Sequence, residues 1–233
     1  MKPIICFGEA LIDFLNFSSE KQDKLSLNNF RQYPGGAPAN AAVAAAKLGG
    51  KAYFSGQVGQ DAFGDFLLSA MKEYGVDIRY SYQHPTAQTA LAFVSLDETG
   101  ERSFTFYRKN SADVLLRPEQ VKDDWFHTPS IFHFCSNTLT EEAIRECTEF
   151  AVKKASSKET IISFDVNLRH NLWPNNEADA KVVNSLVRQA HILKFAQEEF
   201  DYLAQREQDA FLQECLAQQC ELLIITNGNQ PLK

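Results

Sequence analysis

Ala37-Pro38-Ala39-Asn40-Ala41-Ala42-Val43-Ala44-Ala45-Ala46-Lys47-Leu48-Gly49-Gly50-Lys51-Ala52-Tyr53-Phe54-Ser55 contains one complete helix-to-strand unit. Alanine has the highest helix propensity, and a proline in the first turn gives up no hydrogen bond that the helix needs. Gly49-Gly50 stops the helix, because glycine takes the left-handed backbone of a C-terminal cap without steric cost. A helix is therefore expected over 38–48. The apolar run 52–55 that follows reads as a buried strand.

The same alternation extends in both directions. Short runs rich in β-branched and aromatic residues read as strands at 4–7, 131–135, 161–164, 192–195 and 222–226. Helical patterns lie between most of them, at 61–74, 141–155, 177–190 and 197–205. The helix at 61–74 opens on a capping Asp61, sets Phe63, Phe66, Leu67 and Met71 on one face, and stops at Gly75. This order predicts an α/β protein with a mostly parallel sheet and helices on both faces.

Two segments interrupt it. Residues 90–109 alternate on either side of the polar turn Asp97-Glu98-Thr99-Gly100-Glu101-Arg102, which is a hairpin signal. Residues 14–33 are polar and irregular, with short strand-like pieces. The two segments form either a small sheet standing off the main domain or antiparallel edge strands on the main sheet.

Composition narrows the class. The 233 residues are 44% apolar and 23% charged, as in an ordinary soluble domain large enough to bury a core. A net charge of -7, without a run of Lys or Arg, argues against nucleic acid and anionic membranes as partners. Cys6, Cys135, Cys147, Cys215 and Cys220 form no CxxC pair and read as reduced thiols of a cytoplasmic protein. The five histidines show no metal-ligand spacing with them. No apolar stretch is long enough to span a bilayer, and the first residues lack the pattern of a cleaved signal peptide.

Ligands of open parallel sheets bind beyond the carboxyl ends of the strands. Those positions hold Gly8-Glu9-Ala10-Leu11-Ile12-Asp13, Asp165-Val166-Asn167-Leu168-Arg169, Glu198-Glu199 and Thr226-Asn227-Gly228. Singly, each has an ordinary structural role as a cap, a solvated helical turn or a turn residue; together they define one polar edge. Tyr33-Pro34-Gly35-Gly36-Ala37-Pro38-Ala39-Asn40 adds paired glycines, which admit a ligand close to the backbone, and a helix N-terminus with free N–H groups. With Asp13 as an acceptor and Asn40 as donor and acceptor, this suits a polyol. A plain turn with a helix cap is the alternative.

Gly35-Gly36-Ala37-Pro38-Ala39-Asn40-Ala41-Ala42, then Gly49 and Gly59, resembles the first signature of the ribokinase-like (PfkB) carbohydrate kinases. The likeness continues through 8–13, through Gly-Gln-Asp-Ala-Phe-Gly-Asp at 59–65, and through Phe106-Tyr107-Arg108 and 164–169. Glu9 and Pro38 make it more similar to the bacterial fructokinases than to ribokinases or adenosine kinases. The resemblance implies a Rossmann-like α/β domain over 1–233 with a small β-sheet lid, inserted at about 14–33 and 88–109, that often builds a homodimer.

It further implies that Asp13, Gly35, Gly36 and Asn40 hold a sugar, with Phe106 and Arg108 reaching in from the lid. Asn167 and Arg169 would face phosphates, Lys194, Thr226 and Gly228 the nucleotide, and Glu199 would organise Mg2+ through water. The cofactors implied are ATP and Mg2+, and the reaction is D-fructose to fructose 6-phosphate. A 2-keto-3-deoxygluconate kinase, with Arg108 meeting its acidic substrate, is the nearest rival. A non-catalytic sugar-binding or regulatory module is the rival of another class. Ala196 departs from the family's Asn-x-x-Glu motif. The second signature, Asp-Thr-x-Gly-Ala-Gly-Asp, supplies the catalytic base and is not found in these residues. The base is expected beyond Lys233. Without it these residues are expected to bind a sugar but to lose about 10²–10⁴-fold in rate, and more with the anion-binding helix.

Overall fold

In the computed structural model, which describes residues 2–96, 102–126 and 130–231, β1 (Ile4–Phe7) lies in a seven-stranded sheet. On one side of β1 run β4 (Ala52–Gly59) and then β5 (Asp77–His84). On the other side follow β8 (Ile131–Cys135), β9 (Ile161–Asp165), β10 (Ile192–Ala196) and β11 (Leu222–Thr226). Every pairing in this sheet is parallel. All the carboxyl ends therefore share one edge.

Alternation along β1 separates the two faces. Cys6 packs with α1 (Ala37–Lys47) and α2 (Ala62–Glu73), in a core that includes Ala39, Ala42, Phe54, Leu67 and Met71. Ile5 and Phe7 point into the larger core on the opposite face. There, α3 (Glu142–Ser156), α4 (Ala180–Val187), α5 (Gln197–Ala204) and α6 (Gln208–Ala217) cover Phe132, Phe134, Phe164, Leu193 and Phe195. Phe134 and Phe164 stack at 4.5 Å between centroids across neighbouring strands, a pairing that aromatic side chains favour.

The two interrupting segments form their own sheet. β2 (Leu11–Gln22) pairs antiparallel with β3 (Leu25–Gly35) and parallel with β6 (Leu91–Leu96), and β6 pairs antiparallel with β7 (Arg102–Tyr107). Edge strands on the main sheet are thereby ruled out, since its two edges are β5 and β11. The turn at 97–101 lies outside the described residues.

Several boundaries differ from the sequence reading, each for a local reason. β4 continues through Gly56 to Gly59, where a Cβ on Gly56 would meet Gly8 O at 2.2 Å, so two backbones touch. α4 starts at Ala180 because Asp179 Oδ1 accepts from the N–H groups of Lys181 and Val182. β5 and α6 carry no strong apolar pattern and are additions of the structure.

Candidate active site

Gly8-Glu9-Ala10 carries the chain from β1 into β2, out of the large sheet and into the small one. Glu9 is 2% exposed at this crossing. Its Oε1 accepts from Ala37 N at 3.2 Å and from Asn137 Nδ2 at 3.0 Å, and the Cys135 thiol lies 3.6 Å from Oε2. Ala37 begins α1, so the carboxylate sits where free N–H groups and the helix dipole favour negative charge. Burial and the neighbouring Glu9 push the Cys135 thiol well above the usual range and keep it neutral.

The paired glycines work here at close range. Gly36 has φ +103°, and a Cβ on it would stand 2.4 Å from Glu9 O. A Cβ on Gly35 would stand 2.2 Å from Asp13 Oδ2, so only glycine lets that carboxylate lie across the loop. Partial burial raises the Asp13 pKa, because the ionised form loses hydration.

Above this floor lies a cleft of about 200 Å³ between the large sheet's carboxyl edge and the small sheet. Glu9, Asp13, Gly36, Asn40, Phe106 and Asn137 line one side, and Asp165, Asn167 and Arg169 the other. Phe104 closes it from β7, stacked on Phe106 at 5.9 Å between centroids. Arg169 Cζ stands 5.9 Å from the Phe104 ring, which brings the two sheets together across the cleft.

At the other side, Lys194 Nζ pairs with Asp165 Oδ1 at 3.0 Å, both about one-third exposed. Asn167 has φ 41°, a left-handed conformation that asparagine tolerates. Glu199 holds two backbone segments together: Oε1 accepts from Leu168 N and Oε2 from Ala196 N, each at 2.7 Å. Thr226 and Gly228 lie at the end of β11 and directly beyond it. Among the described residues, no three His, Cys, Asp or Glu side chains cluster closely enough to hold a metal ion directly. No described helix is long and apolar enough to cross a membrane.

Residues 1–232 match the family model of the pfkB family carbohydrate kinases. The chain belongs to that family. It is 38% identical over 229 residues to probable fructokinase-5 of Arabidopsis thaliana, covering 97% of this chain and 70% of the relative. It spans 59% of a second plant relative, probable fructokinase-6. The crystal structure of a fructokinase from Xylella fastidiosa superposes with a TM-score of 0.92 at 43% identity, covering 99% of this chain and 71% of that one; a fructokinase structure from the same organism with bound ATP superposes at 0.90 with 42% identity, covering 99% and 74%. A fructokinase from Vibrio cholerae O395, solved with fructose, ADP and calcium, superposes at 0.86 with 32% identity, covering 100% and 72%.

For this carbohydrate kinase, the cleft gathers Asp13, Gly36, Asn40, Phe106, Asn167 and Arg169 of the residues singled out in the sequence. Gly35 lies behind Asp13 and lines a separate hollow beside α1 and α2. Lys194, Glu199, Thr226 and Gly228 stand outside the cleft, toward the β10–β11 side.

Arg108 is placed differently from the expectation that it reaches into the sugar. It is 5% exposed, and Nε pairs with Asp113 Oδ2 at 2.6 Å. Nη1 donates to Thr140 Oγ1 at 3.2 Å and Nη2 to the Asn137 carbonyl at 3.0 Å. Burial alone would lower its pKa, but the carboxylates of Asp113 and Glu9 outweigh that and raise it, so the guanidinium stays charged. It is a strut beneath the cleft wall. Asn137 and Phe104 were not found from the sequence. Asn137 follows the end of β8, so the strand-end rule applied there would have found it; Phe104 carries no such signal.

Proposed function

We propose that the protein is an ATP-dependent sugar kinase that converts D-fructose to fructose 6-phosphate. One observation carries the choice of a neutral ketose: the sugar side of the cleft is lined by Glu9 and Asp13, while Arg108 is committed to Asp113. An acidic sugar such as 2-keto-3-deoxygluconate would meet carboxylates there without that arginine to offset them. The fructokinases with bound ATP, or with fructose, ADP and calcium, support the same reading.

Asp13 and Asn40 orient the sugar through its hydroxyl groups, with Gly35 and Gly36 allowing close approach. Phe104 and Phe106 exclude water from one side, which favours transfer to the sugar over hydrolysis. MgATP, when bound, would supply the phosphoryl group; its transfer breaks the bond to ADP and forms one to the sugar oxygen, and the hydroxyl proton would go to the base of the family's second signature, which is not among these residues. Asn167 and Arg169 are the cleft's donors toward phosphate oxygens, and Lys194 adds a cation behind Asp165. Thr226 and Gly228 belong to the nucleotide side. Both oxygens of Glu199 receive backbone N–H groups, so it suits holding the 168 loop and acting on a cation through water, not as a direct ligand.

The four-stranded sheet serves as the lid, inserted at about 14–33 and 88–109 into the α/β domain. It also carries the interface of a homodimer. Exposed Phe17, Leu25 and Tyr107 on its strands support this, at 50%, 65% and 64% exposure. The five free thiols fit a reducing, cytoplasmic setting.

ADP release by the natural protein, with fructose, 2-keto-3-deoxygluconate and no sugar compared in parallel, tests the activity, and phosphorus NMR of the product locates the ester. Selective turnover of fructose to the 6-phosphate is expected. Preference for the sugar acid would overturn the choice of substrate, and fructose binding without ADP release would favour a non-catalytic module. Sedimentation of the native protein and of Phe17→Asp tests the dimer, the variant being expected as monomer.

A further inference from the structure

Gly59-Gln60-Asp61-Ala62-Phe63-Gly64-Asp65 joins β4 to α2 and lies outside the cleft. Asp61 caps the helix, its Oδ1 accepting from Gly64 N at 2.8 Å. A cap needs no more than that. Yet the same carboxylate also takes both polar hydrogens of Thr89, 28 positions along the chain: Oδ1 accepts from Thr89 Oγ1 and Oδ2 from Thr89 N, each at 2.8 Å. Thr89 is 4% exposed, and its Oγ1 accepts in turn from Gly59 N at 2.9 Å. A Cβ on Gly59 would run into the Asp61 carboxylate and Thr89 N, so the junction admits only glycine there. Burial alone would raise the Asp61 pKa, but the donors of Thr89 and Gly64 outweigh it and lower it, so both oxygens stay acceptors.

Thr89 stands two residues before β6, where the chain crosses from the large sheet into the small one. Gln88 O accepts from Ala112 N at 2.8 Å, which ties this stem to the chain leaving β7; Thr89 ties it to β4 and α2. The ladder of the small sheet begins at the next residue, where Ala90 O accepts from Ile12 N at 3.1 Å. Ala92 follows in the middle of that sheet, opposite Asp13 on β2 and opposite Phe106 on β7. Side chains opposite one another share a face, and Asp13 and Phe106 both line the cleft. Ala92 is buried, in a small core with Leu11 and Ala90 against which Phe106 packs. The placement of β6 therefore sets both the carboxylate and the ring that face a ligand.

We propose that Asp61 is a positioning residue of the sugar site, its hold on Thr89 fixing β6 so that Asp13 and Phe106 meet the bound ketose together. This rests on the sugar-kinase reading above. Neither Asp61 nor Thr89 lines the cleft, so both act through the strand between the two residues that do. The plain alternative is a helix cap, which contributes stability alone. The two roles use different partners, Gly64 N for the cap and Thr89 for the junction, so substitutions can separate them.

Asp61→Ser keeps a good cap, since a serine hydroxyl can accept from Gly64 N, but it is too short to take both hydrogens of Thr89. Thr89→Val removes the hydroxyl and leaves the cap bond in place. Measured by calorimetry, each variant should bind fructose about tenfold more weakly than the natural protein, the factor for misaligning a hydrogen bond or two to the sugar, with ATP affinity unchanged. The double variant should lose no more than either single one, since both break the same tie. Thr89→Ser, which keeps the hydroxyl, should bind like the natural protein. Asp179→Ala removes the cap of α4, whose Lys181 and Val182 N–H groups it receives, and should lower the melting temperature without changing fructose affinity.

Native fructose affinity in Asp61→Ser or in Thr89→Val would overturn the proposal and leave Asp61 as a cap, with the sugar-kinase reading intact. Equal losses for fructose and ATP would overturn it too, because they mark a general loss of structure. Should neither variant fold, hydrogen exchange in the natural protein decides. If the tie strengthens sugar binding, bound sugar must strengthen the tie by the same factor, so fructose should slow exchange of the Thr89 and Ile12 N–H groups alike. Slowing at Ile12 with none at Thr89 would overturn the proposal. Failure of the natural protein to bind fructose would overturn the sugar-kinase reading and this inference together.

Discussion

The two sides of the cleft are built differently. On the proposed sugar side, Glu9, Asn137, Arg108 and Asp113 are each less than 10% exposed and bonded to one another or to backbone. On the proposed phosphate side, Asp165 in the cleft and Lys194 behind it are about one-third exposed and paired with each other. A neutral polyol offers only hydroxyl groups, so discrimination requires acceptors and donors fixed in advance, in a place where an unpaired group is costly. A triphosphate offers charge, which a half-solvated cation attracts without comparable precision in its own placement. In the proposed assignment, rigidity is concentrated where the ligand is uncharged.

The sharpest way to break this contrast is to cut the strut. Arg108→Ala leaves Asp113 buried without its partner and should destabilise the fold by about 3–5 kcal/mol, measured by urea denaturation. Adding Asp113→Ala should restore part of that. A loss below about 1 kcal/mol would show that the sugar side is no more rigid than the other.

Asp13→Asn should weaken fructose binding about 100-fold while leaving the fold intact, because a carboxylate that takes hydroxyl hydrogens becomes an amide with only one acceptor atom. The pH dependence has a definite sign. Burial raises the Asp13 pKa, so the folded protein keeps this proton to higher pH than the unfolded chain does. Stability from this group is therefore lost as pH rises from the ordinary carboxylate pKa through the raised one. Sugar binding, which uses the ionised form, should strengthen over the same window. In Asp13→Asn both dependences should flatten, and the melting temperature at neutral pH should rise by up to about 3 °C.

Gly36→Ala tests the close approach. At φ +103°, with Glu9 O 2.4 Å from the new Cβ, the backbone must shift, at a cost of about 1–3 kcal/mol and with weaker fructose binding. Calorimetric scanning and sugar titration would show both effects. The smallest effect belongs to the phosphate side. Lys194→Ala should lower ATP affinity about tenfold, change stability by less than about 1 kcal/mol, and leave fructose affinity unchanged. Equal losses for both ligands would merge the two sides into one network.

Much of the frame was legible because it depends on short-range signals. The strands at 4–7, 131–135, 161–164 and 192–195 are apolar runs in the interior of the sheet, the one at 222–226 is an apolar run at its edge, and each appears within one residue of its reading. β5 was not legible, since Arg79, Ser81, Gln83 and His84 interrupt any apolar run and it lies at a sheet edge. β2 and β3 read as irregular because their outer halves are exposed, which removes the alternation that marks a half-buried strand. The site divides in the same way. Asp13, Asn40, Asn167 and Arg169 lie just beyond apolar runs or a glycine pair, and all four line the cleft.

By itself, then, the sequence determined the parallel α/β frame, the glycine loop and the edge on which ligands gather, since periodicity, caps and strand ends act within a few residues. Tertiary structure decided which side chains meet. It drew 11–22, 25–35, 91–96 and 102–107 into a separate sheet, turned Arg108 inward to Asp113, and joined Asn137 to Glu9 across 128 positions of chain. A hydrogen bond between groups so far apart leaves no local pattern. It exists only because packing of the two cores brings the end of β8 beside the end of β1, where burial makes each polar group find a partner.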